Sequence, residues 1–318
     1  ADGKEAYRVS EETVARILEI AARLDYHPNS AASSLRSGKT RTIGVVVSDI
    51  ANRFFSDIVR YIENVAYESG YTVLFASTDE KADKLERMVS VLTNKGVDGL
   101  IIASCAGGEQ TVRRVVETGM PVVLLDRDIE GIEASRVLLD NVGACRMGVR
   151  RLHDNGYRRI ELVSYDMEVS TIREREAGYA DAMRELGLEE FIGIHRTLYG
   201  RAGDSVTRIV ADAHRRGVEA MIFPTNTLSL MALQAMNTLG LHLPDDMAVV
   251  CFDDNEVFDL YNPTVAHIGQ SVEDLGVRSF ELLRDMIEHN ASPSRYIVEP
   301  QFADGGSAQR RGEKKDKN

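Results

Sequence analysis

The sequence predicts an α/β protein built from two similar domains, each a parallel sheet wound with helices. Three observations predict it. Residues 43–47, Ile-Gly-Val-Val-Val, form a short, mostly β-branched apolar run, the signature of a strand buried on both faces of a parallel sheet. Such runs then alternate with stretches of helical period along most of the chain, which is the pattern of βαβ units. The alternation is also too long for one open sheet of ordinary width, so it divides into two.

Taken in order, residues 1–8 are polar. Residues 9–24 read as a helix, with Ser10 as cap and an apolar stripe of Thr13, Val14, Ile17, Ile20, Ala21 and Leu24. Residues 28–40 are small and polar, the composition of a linker or of a short helix that forms only on a partner. After strand 43–47, Ser48 and Asp49 stop the apolar run. A helix over 56–68 follows, with Ile58, Ile62, Val65 and Ala66 on one face. The first series continues as strand 71–76, helix 81–94, strand 99–103, helix 109–118, strand 121–125 and strand 137–139. A second series comprises helix 143–155, strand 159–163, helices 171–186 and 205–216, strand 220–223, helix 228–239 and strand 247–251. Helix 272–290 and an extended stretch at 295–298 complete the fold, and 309–318 reads as a disordered tail.

The chain has 318 residues, a formal net charge of −12 and 43% hydrophobic residues, ordinary for a soluble globular protein. The acidic balance argues against a generally basic, nucleic-acid-coating surface. It allows DNA binding through a small module whose charge the rest masks. Apolar runs are too short to span a bilayer, and no apolar leader follows the initial Ala-Asp-Gly-Lys, so a cytoplasmic protein without membrane partners is expected. Cys105, Cys145 and Cys251 are widely spaced and read as buried free thiols. No Cys/His spacing suggests a metal, no Gly-x-Ser-x-Gly nucleophile motif occurs, and no phosphate-cradling glycine loop is present. No cofactor and no catalytic residue is expected.

Ligands of open α/β sheets bind at the carboxyl ends of the strands, so the residues that follow each strand are the candidates. Asn52, Phe54 and Phe55 follow the first strand and offer an amide and aromatic faces; one Phe is expected in the core and the other in the cleft. Arg175 carries a rigid fork of donors suited to vicinal hydroxyls, carboxylates or phosphates, with Thr171 and Arg173 close by on the same helix. Asn226 and Asp253 follow two later strands and could accept and donate across the same space. Asp254 reads as structural. Asp49, Asp126 and Asp140 end strands too, and each suits a helix cap as well as a ligand contact.

Several stretches together resemble one family. They are Val-Ser-Glu-Glu-Thr at 9–13, Asp-Tyr-His-Pro-Asn-Ser-Ala-Ala-Ser-Ser-Leu-Arg-Ser-Gly-Lys-Thr at 25–40, and Ile-Gly-Val-Val-Val-Ser-Asp-Ile-Ala-Asn-Arg-Phe-Phe at 43–55. In the same order come Pro-Val-Val-Leu-Leu-Asp-Arg at 121–127, Asp140-Asn141, Arg-Glu-Ala-Gly-Tyr at 175–179, and Pro-Asp-Asp-Met-Ala-Val-Val-Cys-Phe-Asp-Asp at 244–254. Their order and spacing resemble the lactose-repressor/galactose-repressor (LacI/GalR) family of bacterial transcription regulators. Two departures stand out: Gly269-Gln270-Ser271 lies where an Arg-Gln-Pro type sequence is common, and Cys251 where Gly is common.

The resemblance implies two doubly wound, periplasmic-binding-protein-like α/β domains, preceded by the remnant of a helix-turn-helix headpiece (1–27) and a hinge (28–41). Three chain crossings, near 141, 270 and 292, would divide the core into 42–140 plus 271–291 and 141–270 plus 292–308. The first two headpiece helices of the family have no counterpart here, so this sequence is expected to be a truncated regulator whose full-length form binds operator DNA. In the family the hinge folds on DNA and a leucine wedges into the minor groove; Leu35 matches it, with Asn29, Ala31, Ala32 and Arg36 beside it. Phe54 would be the ligand-facing phenylalanine and Arg175 a ligand contact. The implied effector is a small polar molecule, a sugar or sugar derivative, bound by a homodimer. Rival readings are a solute-binding protein of a transport system, which has no use for a hinge, and a glycoside hydrolase built on converging Asp49, Asp126 and Asp253.

Overall fold

The computed structural model describes residues 10–23, 39–200 and 202–309. The chain divides into two units, 1–41 and 42–318. In the first, helix α1 spans Glu11–Arg23, and the Ser10 hydroxyl accepts from the Thr13 N–H at 3.3 Å, the capping geometry that its sequence signals. Val9, Leu24 and the hinge candidates Asn29, Ala31, Ala32, Leu35 and Arg36 lie outside the described residues, as do residues 310–318.

The second unit contains two six-stranded sheets. The first is built from β1 (Thr42–Val47), β2 (Thr72–Ser77), β3 (Gly99–Ile102), β4 (Val122–Leu125), β5 (Ser135–Leu139) and β11 (Arg295–Val298), in the order β11-β5-β4-β3-β1-β2. The second is built from β6 (Ile160–Tyr165), β7 (Gly193–Thr197), β8 (Ala220–Ile222), β9 (Ala248–Phe252), β10 (Ala266–Gly269) and β12 (Gln301–Ala303), in the order β12-β10-β9-β8-β6-β7. Every pairing is parallel except that of β10 with β12. The doubly wound α/β architecture expected from the sequence is therefore present twice. β3, β4, β6 and β9 are buried along their whole length, which is why they read as unbroken apolar runs.

Helices α2 (Arg53–Glu68), α3 (Ala82–Asn94), α4 (Glu109–Glu117) and α10 (Val272–His289) accompany the first sheet. Helices α5 (Asn141–Asp154), α6 (Ser170–Glu185), α7 (Ala202–Arg215), α8 (Asn226–Leu239) and the short α9 (Glu256–Leu260) accompany the second. α2 turns Phe54, Phe55, Ile58, Ile62 and Ala66 inward, and the Asn52 side chain caps it by accepting from the Phe54 N–H.

The chain leaves the first sheet after β5, returns after β10 to place α10 against α2, and leaves again only after β11. The last crossing corrects the expectation for 292–308. Residues 295–298 belong to the first sheet, in parallel register from Arg295 opposite Arg136 to Val298 opposite Leu139. Because α10 lies on the first sheet, the strand after it completes a crossover there and covers the edge of β5. β7, β10, β12 and α9 were not expected from the sequence; all are short, and β7 and β12 are sheet edges with few fully buried positions.

Gly178 lies where α6 crosses α5. A Cβ there would overlap the backbone carbonyl of Val142, and a backbone atom cannot rotate away. Gly178→Ala is expected to lower unfolding stability by about 1–3 kcal/mol, measured as a reduced denaturant midpoint at unchanged slope.

Candidate functional site

In each sheet the strand order reverses once, between β1 and β3 in the first and between β6 and β8 in the second. Carboxyl ends of strands at such a reversal leave a crevice, because the loops on either side of it diverge. The two crevices share one cavity of about 520 Å³ of non-protein space, partly open to solvent. The first lobe lines it with Asn52, Phe54, Phe55, Glu80, Asp126 and Arg127. The second contributes Tyr165, Met167, Thr171, Ile172, Arg175, Tyr199, Thr225, Thr227 and Asp253, with Gln270 from the β10–α10 crossing.

Of the eight expected ligand contacts, seven line this cavity: Asn52, Phe54, Phe55, Asp126, Thr171, Arg175 and Asp253. Asn226 does not. It opens α8 with its side chain buried and its Nδ2 unpaired, while its backbone N–H donates to Asp253 Oδ2 at 2.9 Å. Its neighbours Thr225 and Thr227 face the cavity instead. The two phenylalanines do not divide between core and cleft as expected. Both are buried, both line the cavity, and they meet edge-to-face with centroids 4.9 Å apart. Arg173 lies outside, 3.9 Å from Glu130 on the surface. Asp140 caps α5, and Asp254 pairs with His267 at 3.0 Å, so both are structural.

Arg175 is the electrostatic centre. Its Nε donates to Asn141 Oδ1 at 2.8 Å and its Nη1 to the Pro224 carbonyl at 2.6 Å. The guanidinium carbon sits 4.4 Å from the centroid of the Phe252 ring, a cation–π contact. Asp253 accepts from Gln270 Nε2 at 2.5 Å and from the Asn226 N–H. Burial raises its pKa, and the Arg175 charge opposes the rise. Asp126 is buried too, and burial pushes it up to about 6 against the pull of Arg175 and Arg127. Both aspartates hold left-handed backbone, with φ of 64° and 65°. Few residues tolerate that region, and aspartate is one of them.

Glu80, Arg127, Tyr165 and Tyr199 line the cavity but were not among the expected contacts. Glu80 and Arg127 form a buried two-pronged pair, with Nη2 to Oε1 at 2.6 Å and Nη1 to Oε2 at 2.7 Å. The Tyr199 hydroxyl donates across the cleft to Asp49 Oδ2 at 2.5 Å, and its ring meets Tyr165 edge-to-face. Arg127 directly follows the strand-end Asp126 and could have been flagged with it; Glu80 and Tyr199 sit in loops without a motif.

A family profile described as "Periplasmic binding protein-like domain" matches residues 149–308. The chain belongs to this family. Its LacI/GalR kinship extends beyond that segment. It is 27% identical over 300 residues to the HTH-type transcriptional repressor PurR of Vibrio campbellii, covering 92% of this chain and 89% of the relative. It is 26% identical to catabolite control protein A of Priestia megaterium, again over 92% and 89%. A LacI family transcriptional regulator from Enterococcus faecium, solved with bound ribose, superposes with a TM-score of 0.74 at 22% identity, over 85% of this chain and 99% of that one. These named relatives are regulators, in keeping with the expectation of a non-enzymatic protein.

In this periplasmic-binding-protein-like cleft, the raised pKa of Asp126 means that ionising it costs stability. That cost is absent below the unfolded value of 3.8 and complete above about pH 6. Asp126→Asn removes it and should raise stability at pH 8 by up to about 3 kcal/mol. Thermal melts should show the difference closing as the pH falls to 4.

Proposed function

We propose that the protein is an effector-responsive, DNA-binding transcription regulator, a cytoplasmic repressor whose cleft binds a small polar ligand, a sugar or sugar derivative. One observation carries the reading: the two sheets meet at their strand reversals around a cavity that combines aromatic walls with Arg175, Asp126 and Asp253. Aromatic faces suit the apolar faces of a sugar ring, and the charged groups suit its hydroxyls. Kinship to repressors, and ribose in a structural neighbour, support the same reading. Asn52, Phe54, Phe55, Asp126, Thr171, Arg175 and Asp253 are the proposed contacts, with Asn226 acting through Asp253.

The effector favours one arrangement of the lobes through its differential affinity for it, and that arrangement sets operator affinity. Hinge residues Asn29, Ala31, Ala32, Leu35 and Arg36 would meet the operator in a DNA-bound homodimer. β2 is the outer strand of its sheet, Phe75 on it is 59% exposed, and Tyr67 near the end of α2 is 78% exposed. This edge is the proposed dimer face. Phe75→Lys should shift the sedimenting species from dimer to monomer.

The functional test is a thermal-shift screen against sugars, sugar phosphates, polyols and nucleosides, since specific binding raises stability by mass action. A hit should be lost in Arg175→Ala, with the fold checked by circular dichroism. Absence of any hit would count against the cleft as an effector site.

A further inference from the structure

We propose that a second cavity, beside the cleft, binds the phosphate group of a small molecule between the first turns of α4 and α6, with Arg113, Arg127 and Arg173 as its cations. This site is independent of the reading of the cleft as an effector site.

The cavity holds about 740 Å³ of non-protein space, partly open to solvent. Ser104 and Cys105 after β3, Arg127 and Asp128 after β4, and Glu109 and Arg113 on α4 line it from the first lobe. Val169, Ser170 and Arg173 line it from the second. Of these residues, Arg127 alone also lines the cleft. The lobes already touch here, where the Asp128 N–H donates to Ser170 Oγ at 2.8 Å.

Two helices begin at this cavity without a cap. Side chains of Asn52, Asp140, Thr225, Asn255 and Ser271 cap α2, α5, α8, α9 and α10. Gly108 before α4 and Val169 before α6 have no side-chain acceptor to offer. The backbone N–H groups of Glu109 and Gln110, and of Ser170, Thr171 and Ile172, make no hydrogen bond among the described residues. Such donors carry the positive end of the helix dipole and suit an anion. One turn further on, each helix adds an arginine to the lining, Arg113 in α4 and Arg173 in α6.

An independent feature points to the same ligand. Arg127 is 8% exposed. Its Nη1 and Nη2 are taken by Glu80 and the Ser104 carbonyl, but its Nε is buried without a hydrogen bond. An unpaired buried donor calls for an acceptor. The other two cations are weakly compensated. Arg113 donates to the carbonyls of Gly131 and Glu130 at 2.8 and 3.4 Å and forms no ion pair among the described residues. Arg173 lies 3.9 Å from a Glu130 carboxylate that is 93% exposed.

Carboxylates line the cavity as well. Asp128 is engaged by Arg136 Nε at 2.6 Å and by the Ile129 N–H. Glu109, Glu130 and Glu168 are exposed, where water and salt screen them. A phosphate suits the donors better than a carboxylate does. It presents three oxygens to groups arriving from two helices and carries the larger charge, whereas the two oxygens of a carboxylate suit a single arginine fork.

The test is calorimetric titration of the whole chain, at constant ionic strength, with inorganic phosphate, glucose 6-phosphate and succinate. Both phosphates should bind with a Kd of about 1 mM or below, and succinate about tenfold more weakly. Arg173→Gln and Arg113→Gln should each weaken inorganic phosphate by about tenfold. Arg173 is exposed, so its variant should melt as the parent does. Arg175→Gln removes a cleft cation that this cavity does not share, and should leave the affinity for inorganic phosphate unchanged. If Arg175→Gln weakens inorganic phosphate as much as Arg173→Gln does, the anion sits in the cleft and the proposal fails. It fails equally if succinate binds as tightly as phosphate, or if neither phosphate binds at about 20 mM. Each of those results leaves the effector reading of the cleft to its own screen.

Discussion

Three buried charges, Arg175 with Asp126 and Asp253, set the constraint on which the rest of the cleft depends. Each is about 5–6% exposed, and removing charges from water is costly unless they compensate one another. Arg175 lowers the pKa of both carboxyls against the desolvation that raises them. The same groups are tethered where the chain changes lobe. Arg175 donates to Asn141, the first residue after the crossing that follows β5. Asp253 accepts from Gln270, the residue that leaves β10 for α10. A ligand that altered the charge balance would therefore act directly on two of the three connections between the lobes.

Asp126 and Asp253 occupy equivalent places in the two halves. Each follows the fourth strand of its sheet, and each donates its N–H to the strand beyond, to Val137 and Ile268 at 2.9 Å. Each also sits in left-handed backbone, a conformation that costs a non-glycine residue about 1 kcal/mol or more. A strained, buried, acidic residue repeated at the same point of both lobes is poor material for stability alone. It makes sense as a way to aim two carboxylates into one cavity from opposite sides.

The sequence was informative where physics is local. β1, β3, β4, β6 and β9 are buried on both faces, and their apolar runs announced them. Ser10 behaves as the cap it was read to be, because a short polar side chain before a helix has few better partners; Asn52, read only as a ligand contact, caps α2 for the same reason. Arg175, Asp126 and Asp253 were legible as strand-end or helix-start residues in recognisable surroundings. Legibility ended where long-range geometry decides. Nothing within residues 295–298 states which sheet they join; the position of α10 does. Tyr199 and Glu80 reach the cavity from loops, brought there by partners, Asp49 and Arg127, distant in sequence. Asn226 was placed one residue off because the capping of α8 by Thr225 turns the amide inward and leaves the two threonines facing the cavity.

Contacts between the lobes are of a particular kind. Arg53 meets Glu256 at 2.9 Å, but both side chains are well exposed, so the pair contributes little, about 0–1 kcal/mol. Ser170 Oγ accepts from the Asp128 N–H at 2.8 Å, and Tyr199 donates to Asp49 at the rim. A few contacts of this strength hold an arrangement without locking it. Under the proposed function, the free energy separating lobe arrangements would be comparable to what a ligand bridging the two walls gains. Under that condition modest differential affinity suffices to shift the population. A cleft sealed by a large apolar interface would be more stable and would not respond.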